Sequence, residues 1–410
     1  MVVCISAKRK LLLLGAGIEQ CEAIKVAQSL DLFVVAVDAN PHAPGLKTAD
    51  AGVCDDIKNV DKMTEIAKKY DVDGVMTHGV EIPEVVAMIA KNLGLPAIEP
   101  EVADRATDKL KRIECFTKHK VLCAKYATAR NSDEAIQASR RVGYPCIFKP
   151  IDNSGARGVI KVDSDAQVKE AYAHTAKFTK ELVILIEEFL QGREISTESI
   201  IYHDKVYTVA LADRNYIRGK FEPYFIEDGG EMPTRLSADE LEKVKKVVDD
   251  AIRALGIDWG VAKGDILIDS KGIAKVIEMA ARTSGGRFCS VKVPLSTGIN
   301  FLKPLMQMTV GLEPDLSELQ PKFSKGVAER TIFVEPGIVT SISGIEDARR
   351  IEGVVDVHVN EDVNIGSEIK RITDNSMKKG YVTAVGKDRE EAIRRAESAV
   401  EKIRIVTRKP

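Results

Sequence analysis

The chain's 410 residues make two or three average domains, because single hydrophobic cores stop growing near roughly 250–300 residues. Sixty basic against sixty-two acidic residues leave a formal charge of −2, which excludes nucleic acid as a partner held by a strongly cationic surface. A hydrophobic share of 44% with 30% charged residues excludes extensive disorder. The longest run of only Val, Ile and Leu, Leu182 to Ile186, is far short of the ~20 residues that cross a bilayer, so no membrane partner is expected. Lys8, Arg9 and Lys10 precede an apolar stretch, Leu11–Leu14, too short for a secretory signal. Seven scattered cysteines without a C-x-x-C fit reduced thiols in a cytoplasmic chain better than disulfides or a zinc site.

The first hundred residues alternate strand and helix patterns. Lys10–Leu14 reads as a short buried strand, followed by a turn at Gly15-Ala16-Gly17 and a helical spacing of apolar residues at Ile18, Ile24, Ala27 and Leu30. Phe33–Val37 and Asp73–Thr77 are further strands; Asn59–Tyr70 and Pro83–Leu93 are the helices between and after them, the second closed by Gly94. Strands alternating with helices give β-α-β units and a parallel sheet covered on both faces.

From about residue 106 the texture changes. Asn131 with Glu134 resembles a capping box, and Gly143 ends that helix. Strands are expected at Cys146–Lys149, Val159–Val162 and Leu182–Glu187, then a hairpin of Ile195–Ile201 and Val206–Leu211 around Asp204. Ser237-Ala-Asp-Glu240 is a capping box opening a helix that Gly256 closes. Asp265–Ile268 and Ala274–Glu278 form a strand pair turning at Asp269–Gly272. Pro314 to Gly326 reads as a connector. The last ninety or so residues carry strands at Arg330–Val334, Val354–Val359 and Gly380–Val385 and an amphipathic helix capped by Asp388.

Four groups of residues could carry chemistry. Gly15-Ala-Gly17 suggests a dinucleotide fingerprint, but Gln20 stands where the third glycine belongs; even with Asp38 ending the next strand, a tight strand-to-helix turn facing the cleft is the better reading. Lys149 ends a strand and the loop Asp152-Asn-Ser-Gly-Ala-Arg-Gly158 follows. Such a loop lets backbone N–H groups approach a phosphate, although an ordinary hairpin looks the same, and no P-loop sequence occurs. Glu187, Glu188 and Glu194 flank Leu190 and Gly192 at the end of an apolar strand, where they could line a cleft for a purine or simply meet solvent. Asp265 and Glu278 lie on consecutive paired strands; two carboxylates facing one site need a cation or a shared proton, and with phosphates they suit Mg²⁺. Arg282, Gly285, Gly286 and Arg287 follow directly.

In this order these pieces resemble an ATP-grasp enzyme over nearly the whole chain. The likeness runs through Asp38-Ala-Asn-Pro-His-Ala-Pro-Gly45, Asp108-Lys109, Tyr144-Pro-Cys-Ile-Phe-Lys149 and the glycine loop. It continues through Glu187-Glu-Phe-Leu-Gln-Gly-Arg-Glu194, Asp265 and Glu278-Met-Ala-Ala-Arg282. The resemblance implies an α/β and α+β architecture. A Rossmann-like pre-ATP-grasp domain spans residues 1–105, and an ATP-grasp domain with a mobile lid at about 120–190 spans 106–314. A small C-terminal α+β domain follows over 315–410. Lys109 and Lys149 would contact ATP phosphates, and the loop with Ser154, Gly155 and Gly158 would fold over them. Glu187 and the backbone around Glu188 to Leu190 would hold adenine, with Glu194 on the ribose. Asp265 and Glu278 would bind Mg²⁺ (or Mn²⁺), and Arg282, with Lys149 and Arg287, would act on the transferred phosphoryl group.

One departure stands out: many relatives carry Glu-x-Asn at the second metal position, and Ala280 replaces that Asn here, which puts one metal contact in doubt. Glu278-x-Ala-Ala-Arg282-x-Ser-Gly-Gly286, the segments Pro223–Gly229 and Pro233–Ser237, and the stretch Gly380–Gly386 are similar to L-amino acid ligases, the bacilysin-type dipeptide synthetases. The implied reaction is ATP-dependent ligation of a small-molecule carboxylate to an amine through an acyl phosphate, in a cytoplasmic homodimer. Carboxylation or carbamoyl-phosphate chemistry and a non-catalytic nucleotide-binding role are the alternatives. No dedicated general base stands out. His78 could touch substrate but reads first as structural, His42 as part of a turn, Trp259 as core and Cys289 as a small apolar residue; Arg214 and Arg218 are either substrate-carboxylate ligands or solvated surface groups.

Overall fold

The computed structural model describes residues 8–217 and 219–409, so Arg218 lies outside the described residues. Lys10–Leu14 is an inner strand of a four-stranded parallel sheet, flanked by Phe33–Asp38 and Gly74–Thr77, with Ala51–Cys54 outermost. Leu11 to Leu14 are fully buried because helices cover both faces of the sheet, the condition under which a strand reads as an unbroken apolar run. Asp38 ends its strand by accepting the Ala16 N–H at 2.8 Å and the Asn40 N–H at 2.9 Å. Its carboxylate therefore ties down the glycine turn, with Gly15 at φ +101°, a backbone state open to glycine.

The second layer is an eight-stranded sheet in which every neighbouring pair is antiparallel. Its order is Ala274–Ala280, Gly260–Ile268, Arg193–Tyr202, Lys205–Tyr216, Glu227–Met232, Gly326–Thr331, Gly380–Gly386 and Val354–Val359. The hairpin at Asp204 and the turn at Asp269–Gly272 both form, the latter closed by the Gly272 N–H donating to Asp269 O at 3.0 Å. Helix Ala238–Leu255 packs its Val244, Val248, Ala251 and Leu255 face on this sheet. It opens with a complete capping box between Ser237 and Glu240. Ser237→Ala removes that cap and should lower stability by about 1 kcal/mol, read as a shift in the urea midpoint with the slope unchanged.

A third sheet, in the order Tyr126–Ala129, Ile184–Glu188, Cys146–Pro150 and Ile160–Val162, carries helices Ser132–Val142 and Asp165–Thr175. These pack about Phe148 and Ile186 into a core of their own. A small sheet of Glu368–Ile369, Gly337–Ser343 and Arg404–Arg408 completes the fold.

Two expectations need correcting. The strand expected over Arg330–Val334 runs instead over Gly326–Thr331. Its first residue is glycine because the Asp388 carbonyl leaves no room for a Cβ there. The expected connector before it holds a 3₁₀ turn, Leu316–Leu319, whose Leu319 is buried. Among the described residues no helix is long and apolar enough to cross a membrane, and six cysteines are free thiols.

Candidate active site

One cleft of about 740 Å³ lies where the three large sheets meet. Lys109 is the first residue of helix Lys109–Lys118, which Asp108 caps by accepting the Lys111 N–H. Its ammonium reaches the carbonyl of Asn153 in the glycine loop, and burial lowers its pKa. Lys149 approaches from the neighbouring strand and pairs with Glu187 at 2.5 Å. Both lysines line the cleft, one from helix Lys109–Lys118 and the other from strand Cys146–Pro150.

The loop between Cys146–Pro150 and Ile160–Val162 is tied down within itself and from across the cleft, where the Asn375 N–H donates to the Gly155 carbonyl at 3.1 Å. Arg157 donates to Asn153 Oδ1 at 2.7 Å and to Ser154 Oγ at 3.0 Å. Gly155 has φ +67° and free space where a Cβ would sit, and the Ser154 N–H beside it donates to Asn153 Oδ1 at 2.9 Å. Gly158 is placed differently. It is not part of the cleft wall, and a Cβ there would lie 2.7 Å from Cβ of Phe178 at φ +72°, so its smallness serves packing of the loop's base.

Glu187, Glu188, Leu190 and Glu194 line the same cleft. Glu187 gives its carboxylate to Lys149, and Glu188 accepts the Lys125 N–H at 3.3 Å. Asp265 and Glu278 are directly opposite one another in the strand pair. Asp265 is 4% exposed and is paired with Arg214 at 2.7 Å and with Lys263. Burial pushes its carboxyl upward, but Arg214 and Lys263 outweigh that and hold it below the usual range. Glu278 is paired with Arg112 at 3.2 Å. Burial again opposes ionisation, and Arg112, Lys263 and Lys109 more than offset it.

Two carboxylates that stay ionised, opposite one another and beside lysines aimed at one space, fit a divalent cation. Mg²⁺ is commonly held by one or two carboxylates with substrate phosphates and water filling the other positions. Among the described residues no cluster of three or more His, Cys, Asp or Glu forms a self-sufficient cage, in keeping with that mode. Ala280 is buried and sits opposite Lys263, so no side-chain oxygen comes from position 280.

Arg282 pairs with Glu81, its Nε donating to Oε2 at 2.6 Å. Arg287, with left-handed backbone at φ +55°, pairs with Asp356 at 2.7 Å and lies 4.3 Å from the Tyr381 ring centroid. Glu19 closes this end of the cleft by accepting the Gly286 N–H at 3.0 Å. His78 lies behind the wall, wholly buried, with Nδ1 3.0 Å from Thr283 Oγ1. Burial takes its pKa down to about 4, so the ring is neutral near pH 7. Trp259 is only partly buried and lines an apolar pocket with Arg282, and Cys289 is fully buried.

The sequence reading missed Arg112, Lys263, Glu81, Glu19 and Glu198. Lys263 was detectable, because it shares a strand face with Asp265 two residues on. Arg112 shares a helix face with Lys109 three residues before it. Glu198 is wholly buried on strand Arg193–Tyr202. It accepts the Ser284 N–H at 2.8 Å and the Ser284 hydroxyl at 2.5 Å. Burial pushes its pKa up to about 7. A raised folded-state pKa means the native protein binds the extra proton in the window from about 4.5 to 7. Stability therefore falls as pH rises through that window, by on the order of 3 kcal/mol from this group. Glu198→Gln should flatten that part of the stability–pH curve, measured by denaturant unfolding at several pH values.

Residues 142–291 match the model of the ATP-grasp domain, and residues 330–408 match that of L-amino acid ligase C-terminal domain 2. The chain is an ATP-grasp enzyme. This ATP-grasp enzyme is 25% identical over 402 residues to the formate-dependent phosphoribosylglycinamide formyltransferase of Saccharolobus solfataricus, covering 95% of this chain and 96% of that one. Its fold is shared with the L-amino acid ligase from Bacillus licheniformis at a TM-score of 0.83 and 22% identity, covering 98% and 99% of the two chains. It is also shared with the biotin carboxylase domain dimer of the Hydrogenobacter thermophilus 2-oxoglutarate carboxylase, solved with MgADP, ADP and bicarbonate. That match has a TM-score of 0.74 and 18% identity, covering 97% and 90%.

Proposed function

We propose that this enzyme joins a small-molecule carboxylate to an amine at the expense of ATP, through an acyl phosphate, releasing ADP and phosphate. The observation that carries the reading is the convergence of Lys109, Lys149, the Ser154–Gly155 loop and the Asp265–Glu278 pair on one cleft. In the first half-reaction a substrate carboxylate oxygen attacks the γ-phosphorus, and the bond from that phosphorus to the bridging oxygen breaks as ADP leaves. Charge spreads over the phosphoryl oxygens at that point, and preorganised cations there lower the barrier most. Lys149 and Lys109 supply it from the lid and the central layer, and Arg282 and Arg287 from the acceptor end. Mg²⁺ or Mn²⁺, held by Asp265 and Glu278, would neutralise further phosphate charge when bound.

Glu187, Glu188, Leu190 and Glu194 form the part of the wall assigned to the nucleoside. Residues 120–190 act as the lid that keeps water from a readily hydrolysed intermediate. Units of 1–105, 106–314 and 315–410 divide these roles, and a homodimer is the working assembly. Formate and phosphoribosylglycinamide, in the name of one relative, are themselves a carboxylate and an amine.

The test is Mg-ATP-dependent phosphate release against free amino acids, formate, bicarbonate and purine-pathway intermediates, singly and in pairs, with hydroxylamine as a general acceptor. Release that requires one carboxylate and yields its hydroxamate is the expected result. ADP formation that requires bicarbonate would move the enzyme to carboxylation, and ATP binding without turnover across the panel would overturn the ligase reading.

A further inference from the structure

The amine in such a reaction must lose a proton before it can attack, and most of the groups lining the cleft are poorly suited to take one. Lys109, Lys149, Arg282 and Arg287 are cationic donors. Asp265 and Glu278 are held as weakly basic carboxylates by Arg214, Lys263 and Arg112. Glu187 is paired with Lys149.

Glu198 stands apart. It is 0% exposed, and among the described residues it forms no ion pair. The charged and titratable groups around it are Arg282, Lys263 and the Cys289 thiol, and the two cations are already engaged by Glu81 and Asp265. Both of its oxygens are directed at one residue, Ser284. Ser284 forms part of the cleft wall, two residues beyond Arg282 and beside Gly285. A buried carboxylate without a direct counter-ion is expensive to keep ionised, which makes it a ready proton acceptor once a relay reaches it.

We propose that Glu198, acting through the Ser284 hydroxyl, accepts the proton that converts the bound ammonium into the attacking amine. The inference rests on the ligase reading above. The ammonium gives a proton to Ser284 Oγ as the Ser284 proton passes to Glu198 Oε2. The nitrogen lone pair then forms the bond to the acyl carbon, the carbon–oxygen bond to phosphate breaks with its electron pair on phosphate, and the second nitrogen proton leaves with that phosphate. Glu198 returns its proton to solvent when the lid opens. Glu198 thus acts through Ser284 and does not touch substrate.

Hydroxylamine is already neutral at about pH 7, whereas an α-amino group is largely protonated there, so the two acceptors separate proton removal from everything else. With the full-length enzyme and a carboxylate that supports turnover, Glu198→Gln and Ser284→Ala should each lower amide formation from an amino acid about 10²-fold more than hydroxamate formation. The gap should close toward about pH 9, where the amine ionises unaided. Glutamine keeps an oxygen for the Ser284 N–H, so the loop stays in place. Equal loss of both products at every pH, in both variants, would reduce Glu198 to a structural anchor and overturn the proposal while the ligase reading stands. A wild-type enzyme that makes neither hydroxamate nor carboxylate-dependent phosphate would instead remove the ligase reading beneath it.

Discussion

Lys149→Ala should reduce ATP-dependent phosphate release by at least about 10²–10³-fold, the scale expected when one preorganised charge contact to a developing anion is deleted. Lys149 is near the end of strand Cys146–Pro150, with 13% of its side chain exposed, and Glu187 is its ion-pair partner. Deleting the ammonium therefore does two things. It removes a positive charge aimed into the cleft, and it strands a carboxylate that is 8% exposed, which destabilises the sheet that carries both residues. The double variant Lys149→Ala/Glu187→Gln separates them. Neutral glutamine no longer needs a counter-ion, so the thermal midpoint should return toward that of the parent while phosphate release stays lost. Full activity in the single variant would take Lys149 out of the active site, and recovery of activity in the double variant would assign its role to neutralising Glu187.

The parts of the fold that local chemistry decides were readable along the chain: the buried leucine strand, the Ser237 capping box and the Asp269–Gly272 turn. Strand Glu227–Met232 was not. Its sequence, Glu-Asp-Gly-Gly-Glu-Met, has low strand propensity and reads as a loop. It is an inner strand all the same, because Gly229 lets the Glu329 carbonyl approach to 2.3 Å of where a Cβ would be. Its acids are neutralised by arginines of other elements: Glu227 by Arg214 on the neighbouring strand, and Glu231 by the distant Arg330 and Arg389. That pairing spans more than 150 positions between Glu231 and Arg389 and has no local signature. Helices Pro100–Thr107 and Lys109–Lys118 did carry one, proline at the first turn and Asp108 as a cap.

The same contrast divides the site. Lys149, Glu187 and Glu188 announced themselves at the ends of apolar strands, Asp265 and Glu278 by lying on consecutive paired strands, and Lys109 only through the family resemblance. Their partners did not, because Arg112 meets Glu278 across 166 positions and Glu198 meets Ser284 across 86. Charged groups that set the ionisation of a site are recruited through the tertiary fold, and only those on the same strand or helix face leave a period to read.

That recruitment decides how Glu278 should respond to substitution. Arg112 is 4% exposed and Glu278 27%, so Glu278→Ala leaves the arginine buried without its counter-charge while the vacated side faces cleft water. The loss should fall at the lower end of the range for a broken buried pair, about 3 kcal/mol. Glu278→Gln keeps an oxygen for the guanidinium and should fold, which isolates the role of the charge. If Glu278 holds the divalent cation, the Mg²⁺ concentration that half-saturates phosphate release should rise at least about tenfold in the glutamine variant, equivalent to about 1.4 kcal/mol of binding. An unchanged Mg²⁺ dependence with lowered turnover would leave Glu278 as the anchor of Arg112 alone. The acid limb of stability gives an independent reading. Glu278 is held ionised well below the usual carboxylate range, so the native state binds fewer protons than the unfolded chain. Its contribution is present above the unfolded pKa and disappears as pH falls toward the folded one. Glu278→Gln should therefore lose less stability on acidification than the parent, whatever its activity.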